Sequence, residues 1–136
     1  MPTSLVKAKF SKCTLIAVDF EDCDLTKVKF TEGSFLNNNF KDCISPGIKF
    51  KKVRIQHCTF TGMSLKKSGL RIYHGGFWEA YIGAEATSIG CRYYLNKEWK
   101  SFTDDQIESM SELALDYWNE NKAIIFMMMD SFKVKS

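Results

Sequence analysis

The sequence predicts a mainly β chain whose first half repeats short straight segments and whose second half closes with short strands and an α-helix. Three observations carry that reading. A bulky apolar side chain recurs at every fifth residue from Leu5 to Leu70. A small or medium side chain stands two places before most of them. Beyond Leu70 the beat stops, and apolar residues at helical spacing appear later.

Taken in fives, the bulky positions are Leu5, Phe10, Leu15, Phe20, Leu25, Phe30, Phe35, Phe40, Ser45, Phe50, Ile55, Phe60, Leu65 and Leu70. Only Ser45 breaks the series. The positions two before run through Ala8, Cys13, Val18, Cys23, Val28, Gly33, Asn38, Cys43, Ile48, Val53, Cys58 and Met63, and the residue between is mostly polar. Neither a helical nor a strand period fits. A period of five with two inward positions means that one short straight segment and one corner recur. The composition, 45% hydrophobic and 26% charged, belongs to a globular chain. No apolar run is long enough to span a membrane, and the N-terminus shows no secretory pattern, so a cytoplasmic site is expected.

The motif of a small residue, then Asp or Asn, then Leu or Phe, then two variable residues resembles the pentapeptide-repeat family. The resemblance covers residues 3–70. It implies a right-handed, four-sided β-helix of three to four coils, with four pentapeptides per coil. Residues twenty apart would then stack at the strand spacing of roughly 4.8 Å. Phe10, Phe30 and Phe50 would form one inner column, and Phe20, Phe40 and Phe60 another. Cys13, Cys23, Cys43 and Cys58 would be small buried hydrophobes, and the odd count without a CxxC pair gives neither a disulfide framework nor a zinc site. The Cys43-Ile44-Ser45-Pro46-Gly47 unit is expected to distort one corner. Inward Asn38 must find backbone partners.

Residues 1–70 are expected to form the repeat domain and 71–136 a cap of β-extension and helix. Residues 71–95 suggest two or three short strands, with Gly75-Gly76 as a turn. Thr103-Asp104-Asp105-Gln106 reads as a capping box, opening one helix over about 104–129. The cap's expected task is to close an open stack end. The pattern Ile89-Gly90-Cys91, Trp99, Phe102-x-Asp104-Asp105, Ile107-x-x-Met110 and Ala114-Leu115-x-x-Trp118 also resembles a tail of bacterial and phage pentapeptide-repeat proteins. Such tails often carry His where Tyr94 stands. The Met127-Met128-Met129 run and Phe132 suit either core packing or a helix-mediated homodimer.

A search for catalytic chemistry yields little. His57 falls at an outward position, and His74 with Cys91 would need a cleft and an orienting group to act as a nucleophile pair. Glu108 and Glu112 read as a solvated helix face. No metal, cofactor or enzymatic activity is expected. Charge is more telling, because stacking gathers Lys7, Lys27 and Lys67 into one ladder, Lys9, Lys29 and Lys49 into a second, and Lys12 and Lys52 into a third. Lys51 and Lys66 lie close by. Asp19, Glu21, Asp22, Asp24 and Asp42 fall elsewhere as an acidic corner. The first seventy residues carry twelve Lys and Arg against six Asp and Glu. Duplex mimicry, which the resemblance brings to mind through acidic rods, fits poorly with a basic stack. The expectation is a binding or inhibitory protein, phage-borne, that occupies a host nucleic-acid-processing or defence complex. Direct nucleic-acid binding through the lysine face is the alternative, and a solubilising face is the plain one.

Overall fold

The computed structural model describes residues 4–133, so residues 1–3 and 134–136 at the ends of the two expected domains lie outside the described residues. The chain divides after Leu70 into two compact units.

In the first unit the strands are three residues long: β1 (Lys9–Ser11), β2 (Thr14–Ile16), β3 (Asp19–Glu21), β4 (Lys29–Thr31), β5 (Ser34–Leu36), β6 (Asn39–Lys41), β7 (Lys49–Lys51), β8 (Arg54–Gln56) and β9 (Thr59–Thr61). They stack as three parallel sheets, β1-β4-β7, β2-β5-β8 and β3-β6-β9. Every pairing joins residues twenty apart, as in Phe10 with Phe30 and Phe30 with Phe50. The fourth side is held by single parallel bridges, Ser4 with Asp24 and Asp24 with Ile44. This is a β-helix, as the resemblance implies.

Its corners have one recurrent device. The residue two after each bulky position lies in the left-handed region, from Lys7 (φ 63°) through Ala17, Glu32 and Asn37 to Lys67 (φ 60°). At that conformation the chain turns, and the corner amide donates to the coil beyond, as Lys12 N does to Thr31 O (2.9 Å). The conformation costs an ordinary residue roughly 1–2 kcal/mol.

Inside, the rings stack in columns. Phe10–Phe30 and Phe30–Phe50 centroids are 5.0 and 5.3 Å apart, and Phe20–Phe40 and Phe40–Phe60 are 4.5 and 4.9 Å apart. Neighbouring columns meet edge to face, with Phe30 and Phe35 at 88°, the arrangement aromatic quadrupoles favour. Cys23, Cys43 and Cys58 are buried, while Cys13 is half-buried. Burial pushes the Cys23 thiol pKa up, and neighbouring Cys43 adds to the shift. At Gly33 a Cβ would stand 2.9 Å from the Cys13 carbonyl oxygen, so the small residue permits the close coil. Asn38 finds backbone partners as required: Nδ2 donates to Leu15 O and Oδ1 accepts from Val18 N, both at 2.9 Å.

The expected distortion at Ser45 is absent. The segment Ile44–Gly47 has the same bridge-and-turn pattern as Asp24–Lys27 one coil earlier. Ser45 is buried, and its Oγ donates to Ser64 O (2.9 Å), which satisfies the hydroxyl where a Leu would stand. Gly47 adopts the left-handed corner (φ 77°) that Lys27 adopts above it.

The second unit has a four-stranded sheet in the order β10-β11-β12-β13, with β10 Leu70–Tyr73, β11 Ala80–Gly83, β12 Ala86–Ile89 and β13 Arg92–Leu95. β11, β12 and β13 pair antiparallel. Among the described residues three α-helices follow instead of the one expected: α1 (Asn96–Ser101), α2 (Asp104–Glu108) and α3 (Ala114–Asp130). The capping box at α2 forms, with Gln106 N donating to Thr103 Oγ1 (3.2 Å) and Thr103 N to Gln106 Oε1 (2.8 Å). The break after α2 comes from serines that compete for backbone groups. Ser109 Oγ donates to Gln106 O (2.7 Å), and Ser111 Oγ accepts from Leu113 N (3.4 Å).

The core of this unit gathers Ile82, Trp99, Ile107, Trp118, Ile125 and Met129. Trp99 is anchored by Nε1 donating to Thr87 O (2.9 Å). Met129 is core, Met128 half-buried and Met127 68% exposed, so the methionine run divides between inside and outside. No helix among the described residues is long and apolar enough to cross a membrane.

Two measurements check this packing. Phe30 is 1% exposed, so Phe30→Ala should lower the unfolding free energy by about 3–5 kcal/mol in denaturant titration. The Tyr117 hydroxyl is buried without a hydrogen-bond partner among the described residues, and burial, then Tyr73, push its pKa up to about 12. An unfolded tyrosine ionises near pH 10, so the unfolded state loses its proton first and Tyr117's contribution falls as pH rises from 10 to 12. Tyr117→Phe should leave neutral-pH stability unchanged or higher, and should lose less stability than the parent over that alkaline range.

Candidate macromolecule-binding face

The side of the β-helix formed by β1, β4 and β7 carries the densest charge. Lys9, Lys29 and Lys49 stand in register down its length and are all exposed. Lys51 lies on the same side, below Thr31 and Ser11. Lys7 and Lys27 hold the corner before this side, where Lys7 N donates to Thr26 O (2.8 Å) and Lys27 N to Pro46 O (2.9 Å). Gly47 takes the next place in that corner column, ahead of Lys67. Lys66 is exposed beside it. If two ammonium groups stayed one coil rise apart, their repulsion in water would be about 0.9 kcal/mol. Lys49 relieves part of this by donating from Nζ to the Lys67 carbonyl oxygen (2.6 Å).

The third expected ladder is not a run of like charges. Lys12 and Lys52 occupy the corner after this side, but Glu32 sits between them, its N–H bonded to Lys51 O (2.8 Å). All three adopt the same left-handed conformation. Arithmetic in twenties would have found Glu32, since it lies twenty from each lysine.

The acidic corner is thinner than its residue count suggests. Asp19 and Glu21 project from β3 on the opposite side, yet Glu21 is in register with Lys41 and Asp19 with Asn39. Asp24 is half-buried, and its Oδ1 accepts from Thr26 N (3.1 Å) and Thr26 Oγ1 (2.6 Å), so it caps a turn. Asp22 and Asp42 remain as an exposed stacked pair at one corner. The β-helix is therefore basic on one side and weakly acidic opposite.

Residues considered for catalysis are scattered. His57 is an exposed corner residue (φ 53°). His74 Nδ1 lies 3.1 Å from Glu79 Oε2 in the second unit. Among the described residues no group of three or more His, Cys, Asp or Glu side chains could hold a metal ion.

The left-handed corners give a clean structural control. Gly47 already occupies the column of Lys7, Lys27 and Lys67, so glycine fits there, and glycine adopts this conformation without the penalty of a Cβ. Lys27→Gly should leave the unfolding free energy unchanged or raise it by up to about 1 kcal/mol in denaturant titration.

Comparison with known proteins agrees with the geometry. A family model for pentapeptide repeats matches residues 3–44 in eight copies. No curated protein and no solved structure matches the chain.

Proposed function

We propose that this chain, a pentapeptide-repeat protein through its first unit, is a non-catalytic binding module that docks an acidic protein surface on its lysine face. The family match points to an interaction or structural role. The supporting observation is the in-register column of Lys9, Lys29 and Lys49, exposed and flanked by corner lysines. Such a column repels itself, and five of the ten lysines also sit at backbone positions where a residue with a Cβ is strained. An opposing row of carboxylates offsets the repulsion.

A protein surface suits this face better than a nucleic acid. The inward rings leave no aromatic platform on it for base stacking. Its cations are lysines, which act as point charges, whereas the bidentate phosphate fork belongs to arginine. The residues that flank the face include Glu32, which a polyanionic backbone would meet unfavourably. Inhibition of the partner follows if the docked acidic surface is itself a binding site.

The test is fluorescence anisotropy with polyglutamate and with a DNA duplex across a salt series. Polyglutamate should bind, and the combined Lys7→Gly, Lys27→Gly and Lys67→Gly variant should bind about tenfold more weakly, at roughly 0.5 kcal/mol per surface charge, with stability kept. Tighter duplex binding with a log–log salt slope of about −5, the value for six phosphates, would favour nucleic acid instead. Binding of neither, or a triple variant that binds like the parent, overturns the role of this face.

A further inference from the structure

The second unit contains a pocket that the lysine face does not explain. It encloses about 70 Å³ and is walled by Trp78, Trp99, Trp118 and Ile107, with Cys91 and Arg92 at the rim. Trp99 and Trp118 are each 3% exposed, and their rings lie 5.3 Å apart. Trp78 packs on the Tyr117 ring at 5.3 Å. The wall is apolar, with Trp99 held through Nε1 and its ring packed on Trp118.

The rim is built by a tight hairpin. Ile89 pairs with Arg92 across a two-residue turn, Gly90-Cys91. Gly90 has φ 58°, the glycine-first arrangement of a II′ turn. A Cβ on Gly90 would stand 3.1 Å from Trp78 Cδ1, so the glycine also lets the turn lie close against the wall. The turn sets Arg92 at the mouth, where Nη2 donates to the Met110 carbonyl oxygen (3.2 Å). No carboxylate among the described residues pairs with this guanidinium. The remaining N–H groups of its fork are suited to a planar carboxylate.

We propose that this pocket binds a small carboxylic acid with an apolar body. The body lies against the tryptophans and the carboxylate pairs with Arg92 at the mouth. Size limits the body: a cavity that holds benzene measures roughly 150 Å³, so about half that volume suits a short alkyl group. The pairing also explains the mixed character of the site, since a purely apolar ligand would gain nothing from the guanidinium. The lining contains no carboxylate, which disfavours a cationic ligand despite the aromatic wall.

The site carries its own reporters. The chain has three tryptophans, and all three line the pocket, so intrinsic emission reads occupancy directly. Cys91 is the exposed cysteine, while the others are buried or half-buried, so its alkylation by iodoacetamide reads access to the rim. The experiment titrates the full chain with isovalerate and, separately, with isovaleramide, the neutral analogue of the same shape. Isovalerate should change tryptophan emission saturably, bind about tenfold more tightly than the amide, and slow alkylation of Cys91. Arg92→Gln should bind the amide as the parent does and lose the preference for the acid. Ala114→Leu, which fills the pocket from α3, should abolish binding of both, with the far-ultraviolet circular dichroism of the parent. The absence of a saturable change, equal affinity for acid and amide, a preference that survives in Arg92→Gln, or a folded Ala114→Leu variant that binds like the parent would each overturn the proposal.

Discussion

The stacking of each residue upon the one twenty places later governs the first unit. It is a backbone constraint before it is a side-chain one. Three-residue strands are too short to be stable singly, and each gains its hydrogen bonds only from the coil on either side. The left-handed corner makes this possible by turning the chain within two residues while still donating its amide to the next coil. Once the backbone repeats, side chains twenty apart must meet, whatever their type. Inside, this is favourable, because phenylalanine rings stack at about the coil spacing. Outside, it turns scattered lysines into columns.

The two units solve burial differently. The first spreads its apolar side chains evenly, setting a smaller buried residue such as Val28 or Cys58 beside the large ones such as Phe30, Phe35 and Phe40. The second concentrates three tryptophans around the junction of a hairpin with α2 and α3, where large rigid rings cannot fill every gap. A filled repeat offers only its surface to a partner, whereas an aromatic core of mixed elements can hold a cavity. Surface charge and interior pocket are thus separate assets of separate units.

Much of the first unit was legible because its period appears directly in the residue types, and thirteen of fourteen bulky positions obey it. The left-handed corners were legible only in part: Asp22, Asn37, Asp42, Gly47, His57 and Gly62 are types that favour positive φ, whereas Lys, Ala and Glu at the other corners carry no such signal. The tolerance of Ser45 depended on a carbonyl at Ser64, a partner nineteen residues away. Glu32 and Lys41 were open to the same arithmetic that found the lysines, because each lies twenty from a charged residue. In the second unit the apolar spacing marked helix correctly, but the break at Ser109 to Leu113 contains neither proline nor glycine. It arises from serine hydroxyls bonding to nearby backbone. The pocket escaped notice because its walls come from the loop before β11, the hairpin turn and all three helices, which no local pattern connects.

The interleaving of four sides along one chain also constrains how the length of the first unit can change. Loss or gain of twenty residues removes or adds a whole coil and keeps every downstream side chain on its original side. A change of five keeps apolar residues inside but rotates all later units by a quarter turn, so that downstream lysines leave the basic column and join a neighbouring side. A change of one residue reverses inside and outside until the beat is restored. Inherited length variation should therefore come in whole coils wherever the placement of charge matters, and in fives where only the core does.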